Sequence, residues 1–255
     1  MRKNRIRELW ASDRAAVNGW LSVPSPYVAE IMAHQGWDGL TIDLQHGPVD
    51  VPDAIPMIQA MAASDAVPIV RVPWNEPSVI MRVLDAGAYG IICPMINSRE
   101  DAERFVRACR YPPDGYRSNG AYRGTIYGGP DYLDHANEEI LTFAMIETQE
   151  AVDNLDGICS VPGLNAVYIG PSDLSVSIGG GPGGDQRTSE VMERIDQTLE
   201  AAHRHGIKAG IHAMSAEYAN EMVVKGFDLV TLSSDFRHMM GSANAMLAAT
   251  KLTRD

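Results

Sequence analysis

The run Thr41–Asp50, TIDLQHGPVD, embeds a carboxylate, Asp43, in an apolar segment and follows it with an imidazole, His46. Further along, PIVRVPW places Arg71 inside an apolar run, TFAMIET closes on Glu147, and AVYIGPSD closes at Asp173. His212 ends a later apolar run, and Ser233, Ser234 and Asp235 end the last one. Histidine moves protons near neutral pH, and Asp43, three residues before His46, is placed to orient it. Arginine offers a fixed fork of donors to an oxyanion. Glu147 and Asp173 are hard oxygen donors. With two protein ligands an octahedral ion keeps positions for water and substrate, which suits magnesium or manganese. No His-rich or Cys-rich cluster points to structural zinc. A cation site, an arginine and a base together describe a centre that stabilises an enolate. Each residue alone has a plainer reading: a helix cap, a solvated loop residue or a structural ion pair. Convergence is the stronger argument, because buried charges must be compensated by one another or by a ligand.

These residues need elements that deliver them to one place. Amphipathic stretches ending in glycine, each followed by a short apolar run, recur in EIMAHQGWDGLTIDL, VLDAGAYGIICPM, AAHRHGIKAGIHAM and MVVKGFDLVTL. Glycine just past a helix permits the left-handed conformation that ends it. The apolar runs are too short for helices and read as strands buried on both faces. Eight such runs lie near 18–23, 39–44, 68–72, 89–95, 142–147, 166–170, 208–213 and 228–233. Helices are expected between them, among them one capped by Asn75 with Pro77 early, one from Ser98 through Cys109, one over 188–205 and one over 215–225. Strands alternating with helices imply right-handed crossovers and a parallel sheet. Eight units fit an α/β TIM (β/α)8 barrel, one domain over 1–255, better than a doubly wound sheet, since no glycine-rich fingerprint follows GWLSVP. In such a barrel the active site lies at the C-terminal ends of the strands, where the polar residues above fall. Two long connections, 111–140 and the glycine-rich 179–186, are expected to cover that mouth.

Composition narrows the function. The chain has 255 residues, 45% of them hydrophobic, and a net charge of −12. An acidic chain is poorly suited to nucleic acid, whose phosphates need a positive surface. No apolar run reaches the roughly 18 residues of a membrane helix, and MRKNRIRELW lacks the apolar core of a signal peptide. Three cysteines without CxxC spacing read as thiols in a reducing, cytoplasmic setting. Only four lysines occur, Lys3, Lys208, Lys225 and Lys251. None is placed at the mouth, which disfavours imine chemistry.

The set IDLQHGPVD, VRVPW, LDAGAYGIICPM, RYPPDGYRSNG, MIETQEAVDNLDGI and GLNAVYIGPSDLSVSIG resembles, in order and over nearly the whole chain, the HpcH/HpaI aldolases. These are class II, pyruvate-dependent hydroxy-keto-acid aldolases. The resemblance implies a divalent ion (magnesium, manganese or cobalt) and reversible cleavage of a 4-hydroxy-2-keto acid to pyruvate, or a related 2-keto acid, and an aldehyde. It implies a homohexamer, a trimer of dimers that exchange a C-terminal helix, and an extra N-terminal helix. It places the metal on Glu147 and Asp173, proton transfer on His46 with Asp43, and the keto oxygen on Arg71. Backbone amides at Ser172 and Asp173 would bind the pyruvate carboxylate, His212 would line the substrate site, and Asp85 would reach a neighbouring subunit's site. The chain departs from the family pattern at Met145, where many members carry glutamine, near His212, where an aliphatic residue is usual, and in YRSNGAYRGTIYGG. These departures bear on the aldehyde. Rival readings are an acyl-CoA lyase, with Arg117 and Arg123 available to a CoA tail, an oxaloacetate decarboxylase, and a non-catalytic keto-acid-binding barrel.

Overall fold

The computed structural model describes residues 1–250. Eight parallel strands close into a barrel in sequence order. They are β1 (Ala16–Leu21), β2 (Gly39–Asp43), β3 (Val67–Arg71), β4 (Gly90–Cys93), β5 (Leu141–Ile146), β6 (Ala166–Ile169), β7 (Lys208–Ala213) and β8 (Leu229–Leu232). Each lies within two residues of the bounds expected from the apolar runs. β8 pairs back onto β1, which leaves the sheet without an edge.

The helices are α1 (Arg5–Ala11), α2 (Pro26–Ala33), α3 (Val51–Met61), α4 (Pro77–Asp85), α5 (Arg99–Cys109), α6 (Tyr122–Gly128) and α7 (Tyr132–Glu139). They continue with α8 (Gln149–Asp153), α9 (Leu155–Cys159), α10 (Pro171–Ser177), α11 (Ser189–Arg204), α12 (Ala216–Lys225) and α13 (Asp235–Ala249). Local chemistry sets several ends. Ser98 and Ser215 accept from N–H groups in the first turns of α5 and α12, and α12 stops at Gly226, in the left-handed region. The cap of α4 differs from expectation by one residue. Glu76 accepts from Ser78 N, while the Asn75 amide donates to the Asp101 carbonyl at 3.0 Å.

The N-terminal helix α1 closes the floor of the barrel. Ile6 is fully buried there, and Trp10 meets Phe143 edge-on with 6.0 Å between ring centres. Asn4 pins this floor by donating to the carbonyls of Tyr89 and Glu139.

One expected connection moves to the other end of the molecule. Residues 111–140 run from the end of α5 to the start of β5, so they lie at the N-terminal end of the strands, opposite the mouth. They also fold into α6 and α7 rather than an open loop. The glycine-rich 179–186 follows α10 on the β6 side and does sit at the mouth, where Gly183 and Gly184 line the cavity. Lys208 opens β7 at the floor and pairs with Asp228 at 2.7 Å, while Lys251 lies outside the described residues. No helix among the described residues is long and apolar enough to cross a membrane.

Candidate active site

A cavity of about 750 Å³ opens at the C-terminal ends of the strands. Asp43, His46, Arg71, Ser172, Asp173 and His212 all line it. Glu147 stands behind this wall, its Oε2 3.2 Å from where a side chain on Gly170 would begin.

Register positions the first pair. Asp43 and Arg71 are direct partners across β2 and β3, and both side chains turn into the barrel. Arg71 Nε donates to Asp43 Oδ1 at 2.8 Å and Nη2 to Oδ2 at 2.6 Å. Trp20 Nε1 also donates to Oδ2 at 3.2 Å, and the guanidinium lies over the Trp20 ring at 4.7 Å. A bidentate, stacked arginine has one orientation. Two of its five N–H donors are used, and Nη1 has no partner among the described residues.

The expected pairing of Asp43 with the His46 ring does not form. Asp43 Oδ1 accepts from the backbone N–H of Gln45 at 3.0 Å and of His46 at 3.4 Å. The His46 side chain is exposed on the rim. The carboxylate therefore orients Arg71 and the turn that carries His46, not the imidazole.

The two carboxylates expected to hold a metal follow adjacent strands, Glu147 directly after β5 and Asp173 in the first turn of α10 after β6. Glu147 is 3% exposed, and its Oε1 accepts from Met95 N at 2.8 Å. Its carboxyl is held above the ordinary range, first by removal from water and then by the charge of Asp173. Neither Glu147 nor Asp173 enters a salt bridge among the described residues, whereas Arg71 is committed to Asp43. Two neighbouring anionic groups, one of them buried and without a cation, fit a divalent ion. No group of three or more His, Cys, Asp or Glu side chains among the described residues could hold a metal, so such an ion would take its other ligands from water and substrate.

Asp173 and Ser172 lie in the first turn of α10, after Pro171, with no side chain capping the turn. The N–H groups there find no intrahelical acceptor and are available to an anion. Ser172 Oγ also accepts from Gly183 N at 3.3 Å, which ties the glycine-rich segment to this turn.

His212 enters from β7. Its ring meets Trp20 edge-on at 5.0 Å, and Nδ1 lies 3.1 Å from the Tyr168 hydroxyl. Burial first, and the positive charge of Arg71 second, push its pKa down to about 4, so the imidazole is neutral at pH 7. Beneath it the barrel interior is polar. Tyr168 is 2.8 Å from Thr231 Oγ1, and the Asn18 amide donates to both Thr231 and Thr41 at 2.9 Å.

Other expected residues go elsewhere. Asp85 ends α4 at the floor and pairs with Arg117 at 2.8 Å, so it is not part of this chain's own mouth. Arg117 is buried in that pair, and Arg123 donates to the Ala86 carbonyl at 2.7 Å. Both basic residues considered for a CoA tail are thus committed at the far end. Asp235 accepts from the N–H groups of Ser22 and Val23 and closes the end of β1. Trp20, Tyr168 and Met214 line the cavity without having been singled out in the sequence. The alternation of β1 carries a signal for Trp20, since it follows the inward-facing Asn18 by two.

The family profile described as HpcH/HpaI aldolase/citrate lyase matches residues 18–241. The chain is 40% identical over 245 residues to a hydroxypyruvate/pyruvate aldolase of Rhizorhabdus wittichii, covering 96% of this chain and 98% of that one. It is 34% identical over 234 residues to a 5-keto-4-deoxy-D-glucarate aldolase of Salmonella paratyphi C, with 91% of each covered. The crystal structure of an HpcH/HpaI aldolase/citrate lyase family protein from Burkholderia cenocepacia superposes with a TM-score of 0.90 at 32% identity, covering 96% of this chain and 98% of that one.

Proposed function

This chain belongs to the HpcH/HpaI aldolase/citrate lyase family, and from that premise we propose that it is a divalent-metal-dependent class II aldolase, a carbon–carbon lyase. It cleaves a 4-hydroxy-2-keto acid reversibly to a 2-keto acid and an aldehyde. The observation that carries the reading is the fixed Asp43–Arg71 fork at the mouth beside a buried carboxylate, Glu147, that has no cation of its own. The names of the relatives support pyruvate or hydroxypyruvate as the keto acid.

Arg71 donates its unpaired N–H groups to the keto oxygen of the substrate. The first-turn amides of α10, at Ser172 and Asp173, bind the carboxylate. Glu147 and Asp173 would hold the ion, which when bound would supply Lewis-acid polarisation of the keto oxygen. His46 takes the proton of the C4 hydroxyl. The C3–C4 bond breaks, its electron pair passes into the enolate of the keto acid, and the aldehyde departs. Asp43 touches no substrate in this scheme; it acts by holding Arg71. The acyl-CoA reading loses support because Arg117 and Arg123 are committed at the floor. The exposed apolar stripe of α13 supports an assembly, a homohexamer with exchanged C-terminal helices, in which Asp85 reaches a neighbour's site. Three buried free thiols support a reducing, cytoplasmic setting.

The test is release of keto acid from a set of 4-hydroxy-2-keto acids, with EDTA and after adding back magnesium, manganese or cobalt. Release that stops with EDTA and returns with an ion is expected. Full activity in EDTA would remove the metal from the reading, and no release from any substrate would remove the aldolase.

A further inference from the structure

His212 has its two ring nitrogens in different settings. Nδ1 faces the Tyr168 hydroxyl at 3.1 Å, inside the barrel. Nε2 has no partner among the described residues, and His212 lines the cavity. The tautomer decides whether the mouth meets a donor or an acceptor.

The buried hydroxyls settle it by counting hydrogens. Asn18 gives both amide hydrogens away, to Thr41 Oγ1 and Thr231 Oγ1. Thr41 returns its own hydrogen to Asn18 Oδ1. Thr231 must place a hydrogen too, and Tyr168, 2.8 Å away, is its one remaining oxygen neighbour among the described side-chain hydrogen bonds. Either hydroxyl can donate across that contact. If Tyr168 donates, the Thr231 hydrogen is left buried without an acceptor, and the full desolvation penalty of that donor goes uncompensated. If Thr231 donates, Tyr168 passes its hydrogen to His212 Nδ1 and every hydrogen is used. The single hydrogen of a neutral imidazole then sits on Nε2, facing the cavity.

We propose that His212 is a catalytic hydrogen-bond donor. Its Nε2–H binds the oxygen at C4 of the substrate, and the series Thr231–Tyr168 fixes the tautomer that carries that hydrogen. The identity of the oxygen rests on the aldolase reading above; the tautomer does not. Arg71, Glu147 and Asp173, on the β3, β5 and β6 sides, take the keto-acid half. His212 on β7, with Gly184 and Met214, lines the remaining wall, where the aldehyde approaches. In the synthetic direction C3 of the enolate bonds to the aldehyde carbon. The carbonyl π pair moves onto the aldehyde oxygen, which the Nε2–H stabilises as charge grows. That oxygen then takes the proton carried by His46. His212 keeps its own hydrogen throughout, because giving it up would leave an imidazolate: Nδ1 only accepts a hydrogen bond from Tyr168 and carries no proton of its own. Tyr168 and Thr231 are positioning residues.

Two measurements test this on the full-length enzyme. In the first, 15N NMR of histidine-labelled protein at pH 7, with the His212 signals identified by their loss in His212→Gln, is expected to show a bare Nδ1 and a protonated Nε2. Tyr168→Phe is expected to mix the two tautomers. A protonated Nδ1 in the native protein, or an unchanged tautomer in the folded Tyr168→Phe variant, would overturn the relay. The second compares aldol cleavage with deuterium exchange at the pyruvate methyl group, which forms the enolate without an aldehyde. His212→Leu is expected to lower the ratio of cleavage to exchange by about 100-fold, the scale of losing one oxyanion donor. His212→Gln, which keeps an N–H, should recover about tenfold. Equal falls in the two rates would overturn the assignment to the C4 oxygen. Absence of both reactions in the native enzyme would instead overturn the aldolase reading, and the aldehyde oxygen with it.

Discussion

Asp43 and Arg71 show what a buried ion pair is for at a site. Arg71 is 7% exposed, and both Asp43 oxygens bond to it. Removing either partner leaves an uncompensated charge, a loss of about 3–5 kcal/mol. Arg71→Lys keeps the charge but not the fork, and a single ammonium cannot serve Asp43 and a substrate oxygen together. Its kcat for keto-acid release is expected to fall by about two orders of magnitude; near-native turnover would reduce Arg71 to a point charge. His212 makes a separate, pH-dependent contribution. Its pKa of about 4 in the fold lies below the ordinary 6.5, so between these values the unfolded chain binds the extra proton. Stability is therefore full at pH 7 and falls by about 1.4 kcal/mol per unit as pH drops from 6.5 toward 4. Thermal midpoints at pH 7 and pH 5 should converge in His212→Gln, and an undiminished slope would show that other groups carry it. The residue types at this site were legible in the sequence, but one partnership was not. Asp43 and His46 are close in sequence, which suggested a dyad. The pairing that forms is set by strand register, and Asp43 sits opposite Arg71, 28 positions away.

Elements were more legible than their connections. Short apolar runs bounded by glycine mark strands because a buried parallel strand needs apolar residues on both faces. The interior of the barrel was harder to read. Asn18, Thr41, Tyr168 and Thr231 belong to four strands distant in sequence, and each alone looks like a tolerated polar residue in an apolar run. The Pro, Gly and Tyr content of 111–140 resembles a lid, and composition alone therefore points it to the mouth. Direction decides instead, since a connection from helix to strand must lie at the floor of a parallel barrel. Asp185 ties the glycine-rich 179–186 to the residues that follow β7. Asp185 Oδ1 accepts from Met214 N at 2.7 Å, and Oδ2 from Ser215 Oγ at 2.6 Å. Gly184 then lies so close to the Met214 side chain that a Cβ there would collide with its Cγ. Asp185→Ala should release the segment without melting the barrel. Limited proteolysis is expected to cut within 179–186 several times faster, with a raised KM and a nearly unchanged thermal midpoint. Native cleavage rates and KM in that variant would mean that the contacts of Ser172 with Gly183 and of Ser175 with Gly181 hold the segment without Asp185.

For the whole molecule, the barrel covers its own core but leaves α13 bare. Among its residues only Asp235 is buried. Phe236, Met239, Met240, Met246 and Leu247 recur at helical spacing and form an apolar stripe, with Met246 and Leu247 each 71% exposed. An exposed stripe of this kind marks an interaction surface. In the proposed exchange of C-terminal helices, a second copy would be its cover. The same helix begins at the mouth, where Phe236 and Arg237 line the cavity, so the apolar stripe and the candidate site share an element. Met246→Glu combined with Leu247→Glu puts two charges on the stripe about 10 residues beyond the cavity wall. Burying them against a partner would cost several kcal/mol per charge, while leaving them in water costs nothing to the barrel. Light scattering after gel filtration is expected to show the native chain as an oligomer and the double variant shifted to smaller species, with its circular dichroism retained. A native chain that runs as a single copy would refute the assembly. A double variant with undiminished mass would place the interface on another surface and leave α13 without its cover.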